Sequence, residues 1–300
     1  MPRGYSAETG RGDAAGAAWI FRGGNESRRR HGTAAEPVQT QVILEAMREA
    51  GVTQMLFSDS IGSYGADAPR EQATARWLVE HPTQDPGSAR PRPLSWGRRG
   101  VRTRATPTRR RSDYGRQKRA CRELMRAYAE KHGFDCRWAV IPGVLHGDAV
   151  WGGGTTEYAL DAIKCAFDGT TFTCPVPYEM PLPMIMADDL IVGLLALQDA
   201  QKSALGQPEC GYAMSGFSFT PLQLFEEIKR HRPGFEHNLK LDPDAANFAT
   251  LWPNSISPDA ALRDLHFEAT VGLRDAVDMI FAAHRSRDFW TSFGCVFCSS

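Results

Sequence analysis

The 300-residue chain lacks any run of about 20 apolar residues, and its best stretch, Ile191 to Leu197, is far short of a bilayer span. No segment therefore reads as a membrane-crossing helix, and no membrane partner is expected. Charge of one sign is lacking too, because 35 Lys+Arg stand against 35 Asp+Glu. No secretory hydrophobic segment follows Met1. A paired-cysteine metal framework is also missing. The seven cysteines are scattered and odd in number, which fits reduced thiols. Only Cys295 and Cys298 form a CxxC, with no second pair or nearby His, so no metal is expected. What remains is ordinary: 42% hydrophobic and 23% charged residues describe a chain that folds, as one large α/β domain or as two.

Residues 1–37 are rich in Gly, Ala and Arg and show neither period 2 nor period 3.6, so they read as poorly ordered. Six Arg stand there among four acids, whereas a transit peptide is poor in acids. Order begins near Val38. Val42, Ile43, Ala46, Met47 and Ala50 recur at helical spacing and Gly51 follows as a stop. Val52 to Phe57 has the length of a buried strand and ends in the turn Ser58-Asp59-Ser60-Ile61-Gly62-Ser63. Residues 89–112 then hold nine Arg, three Pro and no acid, a composition that buries no core and predicts a solvated loop.

A long helical pattern starts at Asp113, a candidate cap, and stops at Gly133; a strand follows from Phe134 to Ile141, halted by Pro142-Gly143. Further helices are expected near Tyr158–Phe167, Ala187–Gln201, Pro221–His231, Asp259–Leu262 and Gly272–Ala283, with strands near Thr171–Cys174 and Gly211–Ser215. The aromatic tail from 288 to 300 has no period. Strands alternating with helices give an α/β class with a parallel sheet.

Tyr114 and Lys118 lie four apart at the start of the long helix, one turn apart on one face. A free phenol titrates near ~10, and a neighbouring ammonium favours its ionised form, which suits it to proton transfer with an alcohol. The same spacing also describes a packed Tyr beside a solvated Lys. The upstream strand end brings Ser60 to the edge where a parallel sheet opens its ligand crevice, and Ser60 alone equally reads as a turn cap. Asp188 and Asp189 read as helix-start acids rather than chemistry.

Five ordered stretches carry a resemblance: FSDSIGSYG (57–65), DYGRQK (113–118), RWAVIPGV (137–144), PMIMADDL (183–190) and YAMSGFSFT (212–220). They resemble the extended short-chain dehydrogenases/reductases, the superfamily of NAD-dependent epimerases and dehydratases. GGGTTEYA (152–159), LPMIMADD (182–189) and SFTPLQL (218–224) look like its L-threonine 3-dehydrogenase branch. The likeness covers residues 38–88 and 113–287. It implies NAD-dependent oxidation of the threonine hydroxyl to 2-amino-3-ketobutyrate. Tyr114 is then the general base, Lys118 lowers its pKa and holds the nicotinamide ribose, and Ser60 positions the substrate hydroxyl. Val144 meets the nicotinamide end, and Thr155 and Thr156 sit in the substrate loop. The resemblance further implies a homodimer and a mitochondrial or cytoplasmic location.

Two stretches depart from that pattern. The family opens with a strand, a glycine-rich turn and a helix that hold the pyrophosphate, and nothing ahead of Val38 reads so. The Arg-rich block 89–112 is the second departure. The expectation is an incomplete Rossmann-like, doubly wound parallel sheet with a small C-terminal substrate-binding portion, a family segment joined to foreign sequence, with impaired or absent activity. A nucleotide-sugar epimerase or dehydratase is the alternative within the superfamily. A non-enzymatic remnant with a basic binding loop is the alternative outside it, although nucleic acid is a poor fit because Trp96 is the sole aromatic in the block. The neutral total divides accordingly: residues 89–112 carry +9, residues 1–37 carry +2, and the family-like remainder has 20 bases against 31 acids.

Overall fold

Helix α1 (Ala35–Ala50) stops at Gly51, whose φ of 71° is the left-handed conformation that a residue without Cβ adopts freely. The amide of Val52 then donates to the Met47 carbonyl at 2.9 Å, closing the helix end and turning the chain directly into β2 (Gln54–Ser60). In this computed structural model the described residues are 17–20, 35–65, 67–81, 109–147, 155–207, 209 and 211–292.

The main sheet is parallel throughout. Its order is β1 (Ala17–Ile20), β2, β3 (Asp135–Ile141) and β7 (Gly211–Ala213). The two central strands are apolar on both faces because both are covered. Met55, Phe57, Trp138 and Val140 belong to a core shared with α1 and with α3 (Arg109–His132). Leu56 and Ala139 point the other way, onto Leu190, Leu194 and Leu197 of α5 (Ala187–Asp199) and Ala261 and Leu265 of α8 (Asp259–Leu265). Helices thus lie on both faces of the sheet, the expected α/β arrangement.

A smaller sheet runs β4 (Gly143–Leu145), β6 (Leu182–Met186), β8 (Phe217–Phe219), with β8 antiparallel to β6. Gly216 is required just before β8: a Cβ there would lie 2.4 Å from the Met184 carbonyl oxygen. Strands β5 (Phe172–Cys174) and β9 (His237–Leu239) pair in parallel nearby. Short helices α2 (Ala75–Glu80) and α7 (Pro243–Ala249), with α4 (Tyr158–Asp168), α6 (Pro221–His231) and α9 (Leu273–Ser292), complete the element order.

Helix α6 begins in a full capping box. The Thr220 hydroxyl accepts from the Gln223 amide at 3.3 Å, and the Gln223 side chain accepts from the Thr220 amide at 2.9 Å, with Pro221 at the first turn. Thr220→Ala is expected to cost about 1 kcal/mol of unfolding free energy, measured by urea denaturation.

Several expectations are corrected. A strand, β1, lies inside residues 1–37, where no period is legible; four residues are too few to show one, and the pairing Ala17↔Gln54 to Ile20↔Phe57 places them on the sheet. Helix α1 starts at Ala35 rather than Val38, and α3 at Arg109 rather than Asp113, so the last four residues of the Arg-rich block are helical. The remainder of that block up to 108, the capping side chain of Asp113, and residues 293–300 of the tail lie outside the described residues. The acids of α5 do not cap it. Met186 is its N-cap without a side-chain bond, and buried Asp189 accepts from the amides of Thr270 and Val271 at 3.1 and 3.0 Å and from the Thr270 hydroxyl at 3.1 Å. It ties the segment before α9 to α5.

Candidate active site

Three polar side chains on the inner face of α3, Tyr114, Lys118 and Arg122, follow one another at intervals of four residues and so stand one turn apart. Each reaches one of the last three residues of β2. Tyr114 hydrogen-bonds the Ser60 hydroxyl. The Lys118 ammonium donates to the Ser58 carbonyl at 2.8 Å. The Arg122 guanidinium donates to the Asp59 carboxylate. The helix is thereby registered on the carboxyl end of a central parallel strand, where the crevice of such a sheet opens.

Ser60 holds its place through backbone as well as side chain. It is the N-cap of the turn Ile61–Ser63, and its Oγ accepts from the Gly62 amide at 3.1 Å. Gly62 is a close-approach glycine: a Cβ there would stand 3.0 and 3.1 Å from ring carbons of Tyr114. The Tyr114 ring therefore packs on the turn with its oxygen toward Ser60, while the residue as a whole is 42% exposed. The Ser60 hydroxyl thus caps the turn and also meets the Tyr114 phenol.

Lys118 is 5% exposed. Its ammonium also donates to Glu36 Oε1 at 2.6 Å, from the first turn of α1, and sits 4.8 Å from the centroid of the Phe57 ring and 5.4 Å from that of Tyr114. Burial alone would depress its pKa, but Tyr114 and Glu36 outweigh it and the ammonium titrates above its ordinary range. The Tyr114 phenol is held above its ordinary value as well. Burial is the leading cause, with Glu36 and Asp59 adding to it, while Lys118 and Ser60 pull the other way without prevailing. The lowering by Lys118 that the spacing suggests is present, then, but is not the net result.

Asp59 is 2% exposed and Arg122 6%. The carboxylate accepts from Arg122, from the Ser63 hydroxyl and, at 2.8 Å, from the Ser60 amide. The guanidinium carbon lies 5.0 Å from the centroid of the Trp138 ring. A buried ion pair with this many bonds under Ser60 sets the direction of the turn. Thr40 donates to Cys121 Sγ at 3.2 Å between Lys118 and Arg122, and burial pushes that thiol up to about 11, so Cys121 packs rather than reacts.

The second group stands across the sheet edge. Ser60 is in register with Ile141, and Pro142, Gly143 and Val144 follow at once. A Cβ on Gly143 would lie 2.7 Å from Thr156 Cβ and 2.2 Å from Met184 Sδ, so Thr156 packs on the strand end beside Val144. Val144 itself is half-buried and paired with Ile185. Thr155 lies in the same turn, Thr155–Glu157, with its side chain outside the described residues. The structure thus brings Ser60 to Tyr114, sets the Lys118 ammonium 5.4 Å from the Tyr114 ring centroid, and gathers Thr156 and Val144 at the end of the neighbouring strand. Glu36, Asp59 and Arg122 were not singled out by the sequence reading. The one signal for them was an acid inside an apolar strand end and a basic residue four positions after Lys118.

As a place for a cofactor, the proton-handling end fits a ribose: Lys118 has three N–H donors and two are committed, leaving one for a ligand hydroxyl beside the Tyr114 oxygen. Among the described residues no glycine-rich strand-to-helix turn stands ready for a pyrophosphate. Nor, among them, do three or more His, Cys, Asp or Glu gather closely enough to hold a metal ion, and no helix is long and apolar enough to cross a membrane.

No family model matches the chain. It is 26% identical to the mitochondrial L-threonine 3-dehydrogenase of Bos taurus over 244 residues, 81% of this chain and 57% of that protein. It is 29% identical to an uncharacterized epimerase/dehydratase of Staphylococcus haemolyticus over 248 residues, 82% of this chain and 69% of that one. Among solved structures, the GalE-like L-threonine dehydrogenase from Cupriavidus necator in its apo form superposes with a TM-score of 0.67 at 27% identity, covering 83% of this chain and 79% of that one. The chain spans little more than half the length of the mammalian relatives it matches, 57% and 56%.

Proposed function

We propose, for a chain whose relatives and structural neighbours are L-threonine 3-dehydrogenases and NAD-dependent epimerase/dehydratases of Rossmann-like fold, that the Ser60–Tyr114–Lys118 group oxidises the side-chain hydroxyl of L-threonine to 2-amino-3-ketobutyrate. The observation that carries this reading is the bond between the Ser60 and Tyr114 hydroxyls at the open end of β2, with Lys118 one turn behind them. A secondary alcohol placed there meets an acceptor and a donor at once. Ser60 orients the substrate oxygen, and the Tyr114 oxygen takes its proton as the carbonyl forms. Lys118 stabilises the phenolate and offers its remaining N–H to the ribose of the cofactor. The chemistry that NAD supplies when bound is acceptance of hydride from the carbinol carbon. Thr156, packed on Gly143, stands on the substrate side, and Val144, which follows Gly143, meets the nicotinamide end.

The mammalian relatives favour a mitochondrial setting, and a homodimer is the assembly the resemblance implies. The bacterial relative of the epimerase/dehydratase type supports a second reading, a nucleotide-sugar substrate at the same three residues. Assaying NAD reduction with L-threonine across pH, alongside a panel of sugar nucleotides, separates them. The expected result is threonine-dependent reduction well below the rate of a full-length relative, slowest near neutrality and still climbing beyond pH ~10, the ordinary phenol value, because Tyr114 is held above it. Turnover of a sugar nucleotide in place of threonine, or a threonine rate flat across that range, would overturn the proposal.

A further inference from the structure

We propose that Glu36 is a positioning residue that ties the Lys118 ammonium to the start of α1 and withholds its full charge from the Tyr114 oxygen. This rests on the reading of Tyr114 as the proton acceptor. The pair is close and secluded, 2.6 Å apart with side chains 7% and 17% exposed. Seen from Tyr114, an ammonium so bound is a dipole rather than a free cation, and its field falls off faster with distance. The Phe57 ring, 4.8 Å from Nζ, and the Ser58 carbonyl close two further sides of the ammonium.

Among the described residues, none of the other charges facing Tyr114 and Lys118 bonds the ammonium as Glu36 does. From β2 comes Asp59, which adds to the raising of the Tyr114 phenol although it is paired with Arg122 of α3. Cys121, also on α3, is a neutral thiol until the pH nears about 11, and its ionisation is common to each parent and its Tyr114→Phe counterpart. Glu36 is the carboxylate bonded directly to the ammonium, and so the charge that makes Lys118 half of an ion pair as seen from Tyr114. The bland alternative is that Glu36, in the first turn of α1, merely complements the helix dipole.

The two readings separate in a titration. Tyrosinate absorbance is followed with pH in the intact chain and in Glu36→Gln, each with a Tyr114→Phe counterpart whose subtraction isolates Tyr114. Glu36→Gln is expected to move the Tyr114 midpoint down by about one pH unit, and Glu36→Asp to keep it near its starting value. Glu36→Ala provides a second neutral variant should the Gln form fold poorly, with circular dichroism reporting the fold. A midpoint that stays put or rises in a folded neutral variant overturns the proposal. Turnover is a separate readout. If the midpoint falls while NAD reduction with threonine is unaffected, the role of Glu36 stands and the assignment of Tyr114 as base fails.

Discussion

Replacing Tyr114 with phenylalanine is expected to lower threonine-dependent NAD reduction by about 10²- to 10⁴-fold, the range in which a positioned proton-transfer group contributes. The substitution removes one oxygen and leaves the ring that lies over Gly62, 3.0 and 3.1 Å from its would-be Cβ, so the packing of α3 on the turn survives. What is lost from the fold is one hydrogen bond to Ser60 from a ring that is 42% exposed, a change of about 1 kcal/mol at most. Activity and stability thus part company. Turnover collapses while the urea midpoint hardly moves. Ser60→Ala is a less clean probe, because Ser60 also caps the turn Ile61–Ser63. A Tyr114→Phe protein that keeps the parent rate to within about threefold would show that another group takes the proton.

The second large effect concerns stability. Asp59→Asn, or Arg122→Met alone, is expected to cost about 3–5 kcal/mol, because each leaves an uncompensated charge, or its unmatched donors, in a site almost closed to water. Replacing both together removes the need for compensation and is expected to recover a good part of that loss, so the double-mutant cycle gives a coupling energy of at least about 1.5 kcal/mol. Urea denaturation of the four proteins measures it. Additive losses, with no coupling, would mean that the pair does not act as a unit. Because the Ser60 amide and the Ser63 hydroxyl both donate to Asp59, variants that fold are also expected to turn over more slowly through a displaced Ser60.

Most of the fold was legible in the chain because its elements announce themselves locally. The 3.6-residue period before Gly51 and the apolar run after it mark α1 and β2, and Pro221 with its capping partners marks α6 to the residue. The short strands β5 and β7 were legible near Thr171–Cys174 and Gly211–Ser215, but β1, β8 and β9 were not, being too short to display a period. Strand β6 was hidden differently: Leu182–Met186 is buried at every position, so no alternation marks it, and a motif rather than a strand was read there. Asp188 and Asp189 illustrate a further limit. Position in a helix start favours capping, but Asp189 found backbone donors 81 and 82 residues away that a cap could not offer.

The candidate site divides in the same way. The sequence by itself determined that Tyr114 and Lys118 share a helix face, that Ser60 ends a buried strand, and that Pro142-Gly143 ends the next, because helical spacing and strand termination are short-range properties. Only the tertiary structure decided which charges those residues meet. Lys118 is paired with Glu36 from 82 positions earlier, and Arg122 with Asp59 from 63 positions earlier. Contacts across such separations leave no period in the chain. They also set the sign of the chemistry: spacing alone says that an ammonium lowers the Tyr114 pKa, whereas burial and a carboxylate drawn from a segment that read as poorly ordered hold it above its ordinary value.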